Sequence, residues 1–242
     1  MKLPLLCALS LAALTALAGH TANAAVVFSD DFNRDSTASP DGGLGGDWDI
    51  SGDVFLNGNH ALTQTGSTSF ALYNEAALSE SFTVSLDIYS QSNSRYVGVV
   101  FDYQDADNYY VLRASFEASK ATSWQFLKIA DGTQSTVDSG SVALGSMPLN
   151  TWRTLTVSST GTPGQYSFSI TSTDGQTTYA SSLISDGTFA ISGQAGLYFS
   201  NSFAWADNFS LTTVPEPSTW ALMGAAGLLA FGFRRKNKVC RS

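Results

Sequence analysis

Strict alternation of apolar and polar residues is the feature that most constrains the fold of this chain. Residues 82–88 (FTVSLDI) alternate over their whole length, and residues 166–170 (YSFSI) repeat the pattern. A period of two is typical of a β-strand with one buried and one solvated face. Between residues 25 and 213, no segment sustains a helical period over three turns. The sequence therefore predicts an all-β fold for this region.

The remaining strand patterns are short, and turn sequences rich in Asp, Asn and Gly separate them. Asp174-Gly175 is typical of a hairpin, and we assign Asp102, Asp105 and Asp107 to a turn between two strands. Many short antiparallel strands without helices predict two packed sheets or a barrel. The predicted strands cover residues 48–56, 60–64, 69–73, 95–103, 109–117, 122–130, 152–158, 176–180, 196–200 and 203–212.

The N-terminal segment has the three parts of a secretory signal peptide. Lys2 precedes an apolar run from Leu3 to Ala18, and Ala22-Asn23-Ala24 forms an A-x-A cleavage site. This order predicts export and removal of residues 1–24. We expect the remaining chain to fold as one domain over residues 25–213.

The composition of residues 25–213 excludes several classes of function. They contain six basic and nineteen acidic residues, a net charge of −13, which repels nucleic acid and anionic lipid. They contain no cysteine, which excludes disulfides, thiolate catalysis and cysteine-bound zinc there. His60 is their one histidine, so clusters of histidine ligands are excluded as well.

Residues 214–242 combine a proline motif, an apolar segment and a basic end. The fourteen residues from Trp220 to Phe233 reach about 21 Å as a helix, which is less than the roughly 30 Å hydrocarbon core of a membrane. Basic side chains directly after the apolar run extend a short span by snorkelling and hold the C-terminus in the cytoplasm. We predict a short transmembrane helix at residues 219–233 with a basic cytoplasmic end.

The order of these three parts resembles the PEP-CTERM sorting signal of Gram-negative bacteria. The resemblance implies recognition by an exosortase, a membrane-embedded transpeptidase-like protease that acts near Pro-Glu-Pro. It also implies a membrane-anchored precursor, followed by release to the cell surface or to the extracellular polysaccharide matrix. In this role the motif is a substrate and has no catalytic function. Its residues are Pro215, Glu216, Pro217, Arg234, Arg235 and Lys236.

The middle region is similar to the concanavalin A-like or laminin G-like jelly rolls. The resemblance implies an antiparallel β-sandwich, a fold that hosts glycan-binding modules, glycosidases, polysaccharide lyases and adhesive domains alike. The segments that carry it are Phe28–Phe32, Arg95–Phe101, Asp107–Arg113, Trp124, Trp152, Ala195–Phe199 and Asp207–Phe209.

The same resemblance implies one structural Ca²⁺ where the first and last strands meet. Asp30 or Asp31, early in the domain, and Asp207, near its end, match those places. Carboxylates and backbone carbonyls are the oxygen ligands that calcium prefers. The alternative is that Asp30 caps a strand and Asp207 makes hydrogen bonds at a sheet edge.

The carboxylates of the middle region do not form a catalytic pattern. Glycoside hydrolysis requires two carboxyl groups about 5–10 Å apart. The jelly-roll glucanases place them as Glu-x-Asp-x-(x)-Glu, and none of Glu75, Glu80 and Glu117 has a partner at that spacing. His60 lies in no lyase motif. We therefore expect no catalytic residue.

Sugar binding requires aromatic faces beside hydrogen-bonding groups. Alternation places Tyr109, Val111, Arg113 and Ser115 on one face of their strand, opposite Tyr110, Leu112, Ala114 and Phe116. We predict one solvated sheet face that binds a glycan and, through its arginines, favours an anionic one. Its residues are Tyr89, Arg95, Tyr109, Arg113 and Gln125.

The sequence thus predicts an exported, exosortase-processed surface or extracellular-matrix protein. Its predicted activity is that of a non-catalytic glycan-binding module associated with exopolysaccharide. Two alternatives remain. The first is a divergent glycosidase or polysaccharide lyase, which a pair of carboxylates, or a tyrosine with His60, converging in a cleft would favour. The second is a structural or adhesive matrix protein without a small ligand, which a flat face without exposed aromatic residues would favour.

Overall fold

The described part of the chain consists of β-strands and connecting turns, without a helix. A computed structural model describes residues 25–34, 43–57, 60–63, 68–75, 78, 81–189, 191–200 and 203–213. A membrane-spanning helix is not found within these ranges. The predicted signal peptide, the predicted transmembrane helix and the six sorting residues lie outside the described ranges.

Fifteen strands are formed within these ranges. They are β1 (Ala25–Asp30), β2 (Trp48–Ser51), β3 (Val54–Leu56), β4 (Ala61–Thr63), β5 (Ser69–Tyr73), β6 (Phe82–Ser90), β7 (Tyr96–Asp105), β8 (Asn108–Ser115), β9 (Thr122–Ala130), β10 (Thr133–Val142), β11 (Arg153–Ser159), β12 (Gln165–Thr171), β13 (Thr178–Ser185), β14 (Gln194–Phe199) and β15 (Ala204–Thr213).

The strands form two antiparallel sheets. The seven-stranded front sheet has the order β10-β9-β8-β7-β14-β5-β2. The eight-stranded back sheet has the order β13-β12-β11-β6-β15-β4-β3, and β1 pairs with β15 beside this path. The arrangement confirms the antiparallel two-sheet sandwich that the alternating pattern predicts, and it selects the sandwich over the barrel.

One core lies between the inner faces of the two sheets. Every second residue of β6 is buried, and Val84, Leu86 and Ile88 are fully enclosed. From the front sheet, Phe101 and Tyr110 join the same cluster. Burial of each such side chain stabilises the fold by about 1.5–3 kcal/mol relative to exposure. The alternation that was read from the sequence therefore assigns the core-facing residues correctly on these strands.

The strand pattern differs from the prediction at several places. Strand β1 was not predicted, and β13 extends to Ser185, beyond the predicted end at residue 180. The single strand predicted at residues 48–56 is two strands, because Gly52 (φ +92°) lets the chain pass from β2 in the front sheet to β3 in the back sheet. Strand β10 was not predicted, because its sequence TQSTVDSGSV is mostly polar and exposed. It lies at the edge of the front sheet, where few of its side chains need to be buried.

The prediction that Asp102 and Asp105 lie in a turn is wrong, because both belong to β7, although Asp107 does lie in one. Asp102 is inside β7 at a bulge, with φ +49° and a fully buried side chain. Its carboxylate accepts hydrogen bonds from the Tyr166 hydroxyl (2.9 Å) and the Ser192 amide (3.3 Å). The bulge turns the carboxyl group inward, where it joins β7 to the segment before β14. Burial raises the pKa of Asp102 to about 6.

Candidate functional site

A row of side chains crosses the outer face of the front sheet. In the strand register, Gln125 on β9 lies opposite Arg113 on β8, Arg113 opposite Gly98 on β7, and Gly98 opposite Tyr198 on β14. Phe70 on β5 continues the row beyond Tyr198. Five neighbouring strands thus place an amide, a guanidinium group and two aromatic rings in one line.

Arg113 is held in a fixed orientation at the centre of this row. Its Nε and Nη2 atoms donate to Oε1 of Gln125 at 2.9 and 2.7 Å, and Nη1 donates to the Tyr198 hydroxyl at 2.9 Å. The guanidinium carbon lies 4.3 Å from the centroid of the Tyr96 ring. Arg113 thus reaches across β7 at Gly98, which has no side chain, to Tyr198. These contacts define the candidate site.

The positive charge of Arg113 has no acidic partner among the described residues. Four ion pairs occur there, and none of them includes Arg113. A cation without a carboxylate partner is notable in a region with a net charge of −13. It favours a ligand that brings oxygen acceptors to this face.

Aromatic rings extend the face beside Arg113. The Phe70 ring contacts those of Tyr198, Tyr109 and Tyr103, with centroid distances of 5.6, 5.4 and 6.1 Å. They pack with the outward side chains of Leu72, Val100, Val111, Leu127 and Ile129 into a second apolar cluster, separate from the core. Burial raises the pKa of Tyr109 to about 12, so its hydroxyl is protonated at neutral pH.

Three of the five residues predicted to bind a glycan lie together on this face. Tyr109, Arg113 and Gln125 occupy the outer face, as their alternation predicts, and Arg113 and Gln125 are in direct contact. Tyr109, however, is buried on that face and not solvated as predicted. Arg95 precedes β7 and is partly buried. Tyr89 lies on β6 in the back sheet, which corrects the expectation of one shared face. Alternation assigns a residue to one side of its strand, but not a strand to one of two sheets.

The prediction omitted Tyr96, Tyr198 and Phe70, which complete the site. Tyr96 could have been predicted from the sequence, because alternation along β7 places it on the same side as Gly98. Tyr198 and Phe70 come from β14 and β5, which are distant along the chain from β8. Only the strand order brings them to Arg113.

The three carboxylates predicted to bind calcium have other partners. The Asp30 oxygens accept from both terminal nitrogens of Arg34 (2.6 and 2.8 Å), from Trp48 Nε1 (2.7 Å) and from the Phe32 amide (2.8 Å). Oδ1 of Asp31 accepts from the Asn33 amide (3.1 Å), and Oδ2 of Asp207 lies 3.0 Å from Nδ1 of His60. The described residues include no group of three or more acidic, histidine or cysteine side chains that is suited to a metal ion.

The environment of Asp30 does not fit a calcium ion. Burial opposes ionisation of this group, but hydrogen bonds from Arg34, Trp48 and Phe32 outweigh it and hold its pKa below the ordinary value. The guanidinium group of Arg34 already balances the charge that a cation would balance. A cavity of about 790 Å³ lies beside this pair, and Asp31 and Asp47 are among its lining residues.

Comparison with protein families identifies the C-terminal segment. Residues 213–236 match the PEP-CTERM protein-sorting motif. The chain carries a PEP-CTERM sorting motif. The matched range contains all six residues predicted for the signal, and the motif is that of proteins sorted by an exosortase. No curated protein matches the sequence.

Solved structures with a similar fold include a carbohydrate-binding module and a sugar-bound lumenal domain. The carbohydrate-binding module CBM66 from Bacillus subtilis is 17% identical with a TM-score of 0.52, and the match covers 68% of this chain and 94% of the module. The exoplasmic/lumenal domain of VIP36, in its Ca²⁺/mannose-bound form, is 10% identical with a TM-score of 0.55 and coverages of 81% and 94%. A mutant of the GH43 protein BlXynB from Bacillus licheniformis is 15% identical with a TM-score of 0.55, and only 39% of it is covered, against 76% of this chain. These similarities establish the jelly-roll fold.

Proposed function

We propose that this protein is a non-catalytic glycan-binding module and that the face around Arg113 is its binding site. The observation that carries the proposal is the fixed guanidinium group, held between Gln125 and Tyr198 over the Tyr96 ring, without a carboxylate partner among the described residues. Holding an arginine in this way costs side-chain entropy. A ligand that uses the preformed fork recovers that cost in affinity.

The chemistry of the face suits a sugar that carries acidic groups. The hydrogen bonds to Gln125 and Tyr198 use three of the five N–H donors of Arg113, and the other two are available for carboxylate or hydroxyl oxygens. The partly exposed rings of Phe70, Tyr96 and Tyr103 offer apolar surface for the C–H face of a pyranose. The rings of Tyr109 and Tyr198 are buried and support this surface from the side of the apolar cluster. A uronic acid residue would satisfy both requirements.

The sorting motif supports a location for this activity. We propose that residues 1–24 direct export, that residues 25–213 form the binding domain, and that residues 214–242 anchor the precursor in the inner membrane of a Gram-negative bacterium. Exosortase then processes the precursor, and the domain acts at the cell surface or in the matrix. Exopolysaccharide is the partner available there, whereas nucleic acid is not expected to bind so acidic a protein.

Binding to a glycan array that carries neutral and uronic acid oligosaccharides tests the proposed activity. We compare the full chain in mild detergent with its Arg113→Ala and Arg113→Lys variants, each with and without calcium chloride. Arg113→Ala should weaken binding to uronic acid glycans at least tenfold, and Arg113→Lys should restore part of it. Lys120→Ala is the matched control, because it removes one positive charge from an exposed position.

Three results would count against this proposal. Unchanged binding by Arg113→Ala would exclude the proposed site. An absence of binding to every glycan would favour the structural or adhesive matrix protein. Release of reducing sugar from a bound polysaccharide would favour the glycosidase or lyase, the class to which the GH43 similarity also draws attention.

A further inference from the structure

The outer face of the back sheet carries its own cluster of aromatic rings. Tyr89 on β6 stacks against Trp205 on β15, with a centroid distance of 4.9 Å and an angle of 25°, and it contacts Trp152 at 5.0 Å. The His60 ring lies 4.9 Å from that of Trp152 and 5.5 Å from that of Trp205. All four side chains are partly exposed. We call this group the back-sheet aromatic cluster.

Hydrogen-bonding side chains form the next row of the same face. Asp207 lies opposite Asp87 in the register of β15 and β6, and Asp87 lies opposite Thr154 on β11. The Thr154 hydroxyl and the Asn208 amide donate to the two Asp87 oxygens at 2.5 and 2.9 Å, and Asp207 pairs with His60. The aromatic cluster therefore borders an ordered row of carboxylate and amide groups.

The charge of this face differs from that at Arg113. Asp87 and Asp207 are acidic, and neither forms an ion pair with lysine or arginine among the described residues. The neighbouring Arg153 lies opposite the core residue Ile88, donates to the Ser146 carbonyl and packs over Tyr179. The Arg153 side chain therefore lies on the core-facing side of β11 and adds no positive charge to the outer face. An anionic ligand is disfavoured here, whereas an uncharged ligand rich in hydroxyl groups is not.

We propose that the back-sheet aromatic cluster is a second glycan site, specific for uncharged sugars. Tryptophan and tyrosine rings supply apolar surface for a sugar ring, and the neighbouring carboxylates and amide accept and donate hydrogen bonds to its hydroxyl groups. Large aromatic side chains grouped at the surface of a soluble domain mark interaction sites. The inference rests on the proposed function, because it assigns a second ligand to the same module.

The two sites face opposite directions. The inner faces of both sheets contribute to one core, with Leu86 from the back sheet and Leu112 from the front sheet in the same cluster. The outer face that carries Trp205 and the outer face that carries Arg113 therefore lie on opposite sides of the sandwich. One domain can then hold two polysaccharide chains at once, one acidic and one neutral. A bivalent module of this kind cross-links a matrix.

Variants on the two faces separate the two sites. We compare the full chain with Trp205→Ala, Tyr89→Ala and Arg113→Ala on the glycan array described above. Trp205→Ala and Tyr89→Ala should weaken binding to neutral oligosaccharides at least tenfold and leave uronic acid binding unchanged, with the reverse for Arg113→Ala. Thr156→Ala is the control, because it lies on the same face of the back sheet and outside the cluster. The melting temperature of each variant confirms that it is folded.

Cross-linking has its own readout, namely the turbidity of a mixture of soluble polysaccharides that carry the bound acidic and neutral sugars. The unaltered chain should produce turbidity, and Trp205→Ala or Arg113→Ala alone should abolish it. Unchanged neutral binding by folded Trp205→Ala and Tyr89→Ala would overturn the second site. Loss of all binding in Arg113→Ala would also overturn it and leave the proposed function intact. If Trp205→Ala loses glycan binding while Arg113→Ala binds both neutral and uronic acid oligosaccharides normally, the Arg113 site is refuted instead.

Discussion

Replacement of the buried carboxyl group of Asp102 should change how the stability of the protein depends on pH. Burial raises its folded pKa from 3.8 to about 6, so the folded state holds this proton more tightly than the unfolded chain does. The stability that it contributes is complete below about pH 4 and is lost as the pH rises through 6. A difference of about two between the folded and unfolded pKa values, at about 1.4 kcal/mol each, amounts to about 3 kcal/mol.

Urea unfolding between pH 4 and pH 7.5 measures this effect. The wild-type chain should lose about 2.5 kcal/mol more unfolding free energy than Asp102→Asn over this range, because asparagine does not titrate and because the range starts close to the unfolded pKa. Other groups that titrate in the same window cancel in the difference between the two proteins. Asp49→Asn, at an exposed position of β2, is the control and should follow the wild type. Parallel curves for the wild type and Asp102→Asn would refute the assigned cause.

Three further changes test other parts of the structure. In urea unfolding, Gly98→Ala should destabilise the fold by about 3 kcal/mol, because the new Cβ would clash with the Leu112 carbonyl oxygen of β8. Gly46→Ala is the control and should be neutral, because a Cβ at that position has no atom within 4 Å. Arg34→Ala should lower the free energy of unfolding by about 2 kcal/mol, because it removes two hydrogen bonds from the buried Asp30 carboxylate. EDTA should leave the melting temperature of the wild-type chain unchanged, and a large drop would instead support a bound calcium ion. Lys128 lies 2.8 Å from Asp186. Burial opposes ionisation of Asp186, but hydrogen bonds, that from Lys128 foremost, outweigh it and hold the pKa of this carboxyl well below its ordinary value. The pair therefore stabilises the fold above about pH 4, and it does so less as the pH falls further. In thermal melts, Lys128→Met should therefore lower stability at pH 7 and reduce the loss in acid, and an unchanged acid profile would contradict this.

Local sequence patterns predicted much of the strand content and the sides of individual strands. The segments 69–73 and 122–130 match β5 and β9 residue for residue. On β8, Tyr109 and Arg113 face outward and Tyr110 faces the core, as alternation predicts. These features could be predicted from the sequence because the side-chain direction in a strand depends only on position along that strand. The sorting motif at 213–236 was readable for a similar reason, since it consists of contiguous residues.

The burial and the hydrogen-bond partners of Asp102 could not be predicted from the residues adjacent to it in sequence. An Asp-x-x-Asp-x-Asp pattern is typical of a turn, and Asp107 does lie in one. Asp102 instead turns inward at a bulge, because the Tyr166 hydroxyl and the amides before β14 supply its hydrogen bonds from distant parts of the chain. Only those contacts make a buried carboxylate tolerable there.

The sequence by itself determined the all-β class, the outward direction of Arg113 and the sorting motif, because each depends on contiguous residues or on a period of two. Only the tertiary structure decided which outward residues share a surface. It placed Tyr198 beside Arg113 across Gly98, moved Tyr89 to the opposite sheet beside Trp205, and paired Asp30 with Arg34 and Trp48. The physical reason is that the order of strands in two sheets is set by how the whole core packs, and no local pattern encodes that order.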